Sequence, residues 1–200
     1  MYVLIPCKSF QSGKSRLSAC LGEQPRRELC RDMLRHTLEY AAGAVAADNI
    51  RLLSSDTEAA AIARTYSIAA IADAGSGLNQ ALEAGRAALL AKGSIDDELL
   101  VLPIDLPFAC AAAVREAHVR EGEVVIAADQ RRSGTNLLLL RAAALRHFAF
   151  RYGTDSYARH LQQARDNDFS VCELDDWRLA FDIDDAQQYA AWRSIAPAQS

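Results

Sequence analysis

Lysine is scarce in this chain, and arginine greatly outnumbers it. Basic residues are not in excess either, because the formal net charge is −4. That balance excludes a general nucleic-acid binder and leaves room for one local basic pocket. No apolar run is long enough to span a membrane, and the start carries no signal-peptide pattern. The expectation is a cytoplasmic protein without a membrane partner. Cysteine is sparse and odd in number: Cys7, Cys20, Cys30, Cys110 and Cys172. Their spacing suits neither a zinc site nor a disulfide framework, so they read as reduced thiols. Cys7 alone lies in a candidate site, as a small side chain rather than a nucleophile. Linkers, repeats and low-complexity segments are also missing. The 200 residues, 50% of them hydrophobic, suit one domain over 1–200 with a full core.

A further absence concerns a motif. Gly13-Lys14-Ser15 matches the end of a P-loop, but its opening glycine should stand at position 8, which is Lys8. The loop therefore cannot wrap a phosphate with the backbone amides of a P-loop. What is present is a short apolar run, Tyr2-Val3-Leu4-Ile5, that breaks at Pro6. Lys8, Lys14 and Arg16 follow among small polar residues. A strand feeding such a loop suits a polyanion, most obviously a nucleoside triphosphate held by cationic side chains. A solvated turn is the plainer alternative.

Extended and helical segments alternate. Helical spacing covers 26–42, with Leu29, Met33, Leu34 and Leu38 on one face. Further helices are expected over 57–66, 78–90, 111–121 and 156–164, and a last helix runs to 192. Strands are expected at 50–53, 68–72, 99–104, 124–128, 136–140, 169–174 and 180–183. A turn is expected at Gly75-Ser76-Gly77. The run Leu99–Ile104 is continuously apolar, as a central parallel strand buried on both faces would be. This alternation implies an α/β fold: a mostly parallel sheet with helices on both faces. Ligands then bind at the carboxyl ends of the strands.

Asp105 follows the most hydrophobic run, between Pro103 and Pro107. A charge there is costly unless it is paired, exposed or bound to metal. Asp182 and Asp184 flank Ile183, and in an extended segment both project from one face. Two adjacent carboxylates repel, and oxygen ligands suit Mg²⁺ or Mn²⁺. The alternative is that Asp184 or Asp185 merely caps the last helix.

A second set of anion-type groups lies further along. Gly134-Thr135-Asn136 opens a strand, and Gly153-Thr154-Asp155-Ser156 opens a helix. Hydroxyls and free amides at such places bind phosphate or carboxylate. His160 lies one turn after Ser156 on the same face. An ordinary N-cap beside an exposed histidine is the plainer reading.

Taken in order, several segments resemble the guanylyltransferases that activate a phosphorylated three-carbon acid in the biosynthesis of coenzyme F-420. They are Ile5-Pro6-Cys7-Lys8 with Lys14-Ser15-Arg16-Leu17, Gly77-Leu78-Asn79-Gln80-Ala81-Leu82, and Asp105-Leu106-Pro107. Gly134-Thr135-Asn136, Tyr152-Gly153 through Ser156 to His160, and Asp182-Ile183-Asp184 complete the set. They span nearly the whole chain. The resemblance implies a Rossmann-like nucleotidyltransferase fold, a three-layer α/β/α sandwich. It implies Mg²⁺ on Asp105, Asp182 and Asp184. It implies that GTP lies on Pro6, Lys8, Lys14, Arg16 and the Gly77-Leu78-Asn79 turn. The acid and phosphate of the acceptor would lie on Thr135, Gly153 and Ser156. Two residues depart from the family's usual pattern: Cys7 stands for valine, and Ser133 for a glycine before Gly134.

The reaction so implied is attack of the acceptor's phosphate oxygen on the α-phosphorus of GTP. The phosphate is already anionic, so no general base is needed. Catalysis reduces to alignment and charge neutralisation by Mg²⁺, Lys8, Lys14 and Arg16. Phosphoenolpyruvate, 3-phosphoglycerate and 2-phospho-L-lactate are the candidate acceptors, with hand-over to the next pathway enzyme. Two rivals remain. One is a nucleotidyltransferase for a sugar phosphate or the molybdenum cofactor. The other is a nucleotide-binding regulatory module without catalysis.

Overall fold

The computed structural model describes residues 1–73, 77–91 and 98–195. Seven strands form one sheet: β1 (Tyr2–Pro6), β2 (Ile50–Leu53), β3 (Ala69–Ile71), β4 (Glu98–Val101), β5 (Val124–Ala128), β6 (Thr135–Arg141) and β7 (Val171–Glu173). Their order is β3-β2-β1-β4-β6-β5-β7. All neighbours run parallel except β6, which is antiparallel to both β4 and β5. Between β5 and β6 the chain has only residues 129–134, too few for the crossover that parallel pairing needs. The other connections carry helices or longer loops.

Helices cover both faces. One layer holds α1 (Glu23–Ala42), α2 (Thr57–Thr65), α4 (Ala111–His118) and the short α7 (Trp177–Ala180). The other holds α3 (Leu78–Ala91), α5 (Ala142–His147) and α6 (Ser156–Asp166). The central strands show why both layers form. Leu137 and Leu139 of β6 pack into the first layer, and Leu138 and Leu140 into the second. With both faces apolar, neither can be left to water. Each such leucine contributes roughly 1.5–3 kcal/mol by burial.

The last helix, α8 (Ala186–Ile195), belongs to a third, smaller cluster. There Leu17, Leu29, Met33, Phe181 and Ile183 pack together, with Tyr189 and Trp192 against them. Leu17 sits in a 3-10 turn, Ser15–Ala19, that closes the basic loop. This cluster joins the first loop to the end of the chain, regions that sequence distance keeps apart.

Several expected boundaries move. The strand expected at 99–104 ends at Val101, so Asp105 lies beyond the strand in a loop. The segment expected as a strand at 180–183 is not one: Ala180 closes α7, and Phe181–Asp184 pair with no strand. Asp176 starts that helical turn by accepting from the Arg178 amide, which pre-empts extension. Residues 142–147 form α5, a helix without a sequence expectation. Of the expected turn at 75–77, Gly75 and Ser76 lie outside the described residues. No described helix is long and apolar enough to cross a membrane.

Candidate active site

The basic loop leaves β1 at the carboxyl edge of the sheet. It is tied down by Asp56, whose carboxylate accepts from the Ser9 hydroxyl at 3.0 Å and the Phe10 amide at 2.9 Å. The other oxygen of Asp56 caps α2 by accepting from the Glu58 and Ala59 amides. Burial acts to raise the Asp56 pKa, but these donors outweigh it and hold the carboxyl below its usual value. Gly13 has a packing role rather than a phosphate-binding one. A Cβ there would lie 2.8 Å from the Cys30 sulfur. Burial, with Cys30 and Asp56 nearby, pushes the Cys7 thiol up to about 12, away from the thiolate form.

Lys8 is exposed, and so is Arg16. Lys14 is not. Its ammonium lies 2.8 Å from Asp105 and 3.0 Å from Asp184, and its side chain is only 9% exposed. Burial works against that charge, but the two carboxylates win and raise the pKa well above the usual lysine value. Arg16 reaches Asp184 at 3.6 Å. The loop's three cations are thus divided between a buried counter-ion, Lys14, and two solvent-facing charges.

The three carboxylates converge although their segment is not a strand. The Ile183 amide donates to the Asp105 carbonyl at 3.1 Å, which sets Asp182 and Asp184 beside Asp105. Gln188 fixes the same segment from α8. Its side-chain carbonyl accepts from the Asp184 and Asp185 amides, and its amide group donates to Asp182 at 2.8 Å. Asp185 in turn accepts from the Gln188 amide. This is a capping box, Asp185-x-x-Gln188, in which the Asp185 cap matches the alternative read from the sequence and Gln188 is the partner that the sequence reading did not name. Asp185 is the cap, so Asp184 is left for the site. Burial, with Asp105, Asp184 and Asp129 nearby, pushes the Asp182 carboxyl up to about 7. Among the described residues, no group of three carboxylates, imidazoles or thiols is set to hold a metal ion as placed. Lys14 stands between two of the three instead. The donor chemistry nevertheless fits a hard divalent cation: all three candidate donors are carboxylates, and Asp105 and Asp184 add to burial in pushing the Asp182 pKa up.

The second set of groups also meets. Thr135 and Ser156 are both buried, with their hydroxyls 3.4 Å apart. His160 is 0% exposed, which sets aside the plainer reading of a surface histidine. Its Nδ1 lies 2.9 Å from the Thr135 hydroxyl, and its Nε2 accepts from the Arg151 amide at 2.9 Å. Gly153 adopts φ 120, a conformation that favours glycine. The Ser156 amide donates to the Gly153 carbonyl. Ser133, the departure from the family pattern, donates to Asp129 through both amide and hydroxyl. That bracing shapes the turn leading to Thr135.

Asn79 joins the two regions. Its side chain accepts from the Tyr152 amide at 2.8 Å and donates to the Tyr152 carbonyl at 3.1 Å. In this structure its polar groups serve the loop before Gly153. Gly77 is exposed, and Leu78 begins α3 at the same edge of the sheet.

This fold, with carboxylates and cations gathered at one sheet edge, is one that known nucleotidyltransferases share. Two solved structures share the fold. A cytidylyltransferase from Leptospira borgpetersenii aligns with TM-score 0.61 and 14% identity, covering 96% of this chain and 84% of that one. A 4-diphosphocytidyl-2C-methyl-D-erythritol synthase gives TM-score 0.62 and 15% identity, covering 98% and 97%. More particularly, the chain belongs to the CofC-like guanylyl transferase family, whose model matches residues 1–191. Among relatives, a phosphoenolpyruvate guanylyltransferase of Rubrobacter xylanophilus is 36% identical over 195 residues, covering 95% of this chain and 92% of the relative. A 2-phospho-L-lactate guanylyltransferase of Methanocaldococcus infernus is 31% identical over 189 residues, covering 92% and 80%.

Proposed function

We propose that this chain transfers GMP from GTP to a phosphorylated three-carbon acid in coenzyme F-420 biosynthesis. Phosphoenolpyruvate, 3-phosphoglycerate and 2-phospho-L-lactate are the acceptors to test. An oxygen of the acceptor's phosphate forms a bond to the α-phosphorus. The bond from that phosphorus to the bridging oxygen breaks, and pyrophosphate leaves with the electron pair. The observation that carries this reading is the pairing of Lys14 with Asp105 and Asp184, with Asp182 alongside, together with a separate pair of neutral hydroxyls, Thr135 and Ser156.

The chain's own groups have distinct tasks. Lys8 and Arg16 face solvent at the mouth of the basic loop and attract the triphosphate, with Pro6 and the Gly77-Leu78-Asn79 turn as its further contacts. Lys14 balances Asp105 and Asp184 and stays charged throughout. Asp105, Asp182 and Asp184 would hold Mg²⁺, whose charge neutralises the phosphates when it is bound. Thr135, Gly153 and Ser156 orient the acceptor's acid and phosphate. With both reactants held, most of the acceleration comes from alignment and fixed charge. A cytoplasmic location and hand-over of the product to the next pathway enzyme belong to the same reading.

The test is a coupled assay of the purified protein with GTP, Mg²⁺ and each acceptor, with the next enzyme as trap. Guanylylated product and pyrophosphate in equal amounts support the reading. GTP binding without turnover on any of the three acids would sink it in favour of a non-catalytic module. Turnover only on a sugar phosphate would sink the acceptor class alone.

A further inference from the structure

His160 has no role in the proposed chemistry, yet it is fully buried and hydrogen-bonded to Thr135 of the proposed acceptor set and to the Arg151 amide. Its hydrogen bonds can be counted. A backbone amide can only donate, so the Arg151 contact at 2.9 Å requires a lone pair on Nε2. In the neutral ring the proton is then on Nδ1, which donates to the Thr135 hydroxyl oxygen at 2.9 Å. Burial, with Arg159 and Arg151 nearby, pushes the His160 pKa down to about 4, so the ring is neutral at ordinary pH. Thr135 and Ser156 together own two hydroxyl protons but share one contact, at 3.4 Å. One proton of the pair therefore has no acceptor among the described hydrogen bonds. A buried hydroxyl in that position favours a ligand that brings an acceptor.

We propose that His160 is a positioning residue of the acceptor pocket. Through Nδ1–H it saturates the Thr135 oxygen and commits one hydroxyl proton of the Thr135–Ser156 pair to an anionic oxygen of the acid. Through Nε2 it also fixes the Arg151 amide, two residues before Gly153, while Asn79 fixes Tyr152 from the other side. The inference rests on Thr135, Gly153 and Ser156 holding the acceptor.

Three variants and one spectrum test it, with phosphoenolpyruvate and GTP as substrates and a thermal melt on each protein. His160→Phe keeps the ring volume and removes both contacts. It is expected to raise the KM for phosphoenolpyruvate about tenfold or more, and to leave the KM for GTP within about twofold. His160→Asn, whose amide group can replace Nδ1–H, is expected to recover most of that loss. In the wild-type protein, ¹⁵N spectra of labelled histidine near neutral pH should show a neutral ring protonated on Nδ1, perturbed by phosphoenolpyruvate and not by GTP. A ring protonated on Nε2, or a charged one, overturns the proposal even if His160→Phe does not fold. So does a parallel rise in both KM values, which marks a merely structural residue. Thr135→Val separates the two levels. If it leaves the KM for phosphoenolpyruvate unchanged, the acceptor lies elsewhere and both readings fall. If it raises that KM while His160→Phe does not, only the role of His160 is lost.

Discussion

The Lys14 ammonium lies 2.8 Å from the Asp105 carboxylate, across 91 residues of sequence. The same ammonium reaches Asp184 across 170 residues. One cation therefore holds together the first loop, the loop after β4 and the segment before α8. It balances carboxylate oxygens of both Asp105 and Asp184.

If Asp105 and Asp184 hold Mg²⁺ as proposed, Lys14 competes with the metal for the same oxygens. In Lys14→Ala, turnover is expected to fall at least about a hundredfold, the scale of losing a main electrostatic group. Mg²⁺ alone, without nucleotide, is expected to bind more tightly to this variant than to the wild type. Calorimetric titration measures it, and weaker Mg²⁺ binding in the variant would contradict the competition.

Removing the carboxylates has the opposite consequence for metal. Asp105→Ala, or Asp182→Ala combined with Asp184→Ala, should cost at least about a hundredfold in turnover with Mg²⁺ present. Near-normal rates in either variant would remove these residues from the metal assignment.

Asp56 joins the start of α2 to the basic loop. Asp56→Ala is expected to lower stability by about 0.5–2 kcal/mol through the lost cap and to weaken GTP binding through the loosened Ser9–Phe10 segment. Asp56→Asn keeps an oxygen acceptor and should lose less of both. Denaturant melts and GTP titration check the pair, and equal damage from the two substitutions would argue against the anchoring role.

A Cβ added at Gly13 would lie 2.8 Å from the Cys30 sulfur, so one of the two would have to shift. Gly13→Ala should destabilise by about 1–3 kcal/mol through overpacking. Adding Cys30→Ala should restore part of that loss, because the clashing atom is gone. Strict additivity in this double-mutant cycle would mean that the strain arises elsewhere.

His160 supplies a pH dependence of stability. Its pKa falls from 6.5 to about 4 on folding, so between those values the unfolded chain binds more protons than the folded one. The contribution is full above pH 6.5 and is lost as pH falls toward 4, to a total of about 3 kcal/mol. Melts across that window should show the decline in the wild type and less of it in His160→Asn.

Much of the site was legible in the chain because short-range chemistry announces it. A strand followed by a basic loop, a carboxylate after an apolar run, and Gly-Thr and Gly-Thr-Asp-Ser openings are local patterns. The alternation of apolar segments likewise fixed the two-sided sheet, since β4, β5 and β6 must be covered on both faces. Where local patterns failed, a competing local rule explains it. Asp176 caps a helical turn and ends the expected strand before Asp182, and the short 129–134 connection makes β6 antiparallel.

What the sequence by itself determined, then, was the kind of sheet and which residue types would carry charge and polarity at its carboxyl edge. Only the tertiary structure decided how those groups are spent. Lys14 is a buried counter-ion of Asp105 and Asp184, and His160 is interior. Asn79 is engaged with Tyr152, and Gln188 holds Asp182. Each of these depends on a partner far away in the chain. Periodicity and motif spacing report only neighbours, whereas burial and pairing depend on which distant segments the packed core brings together.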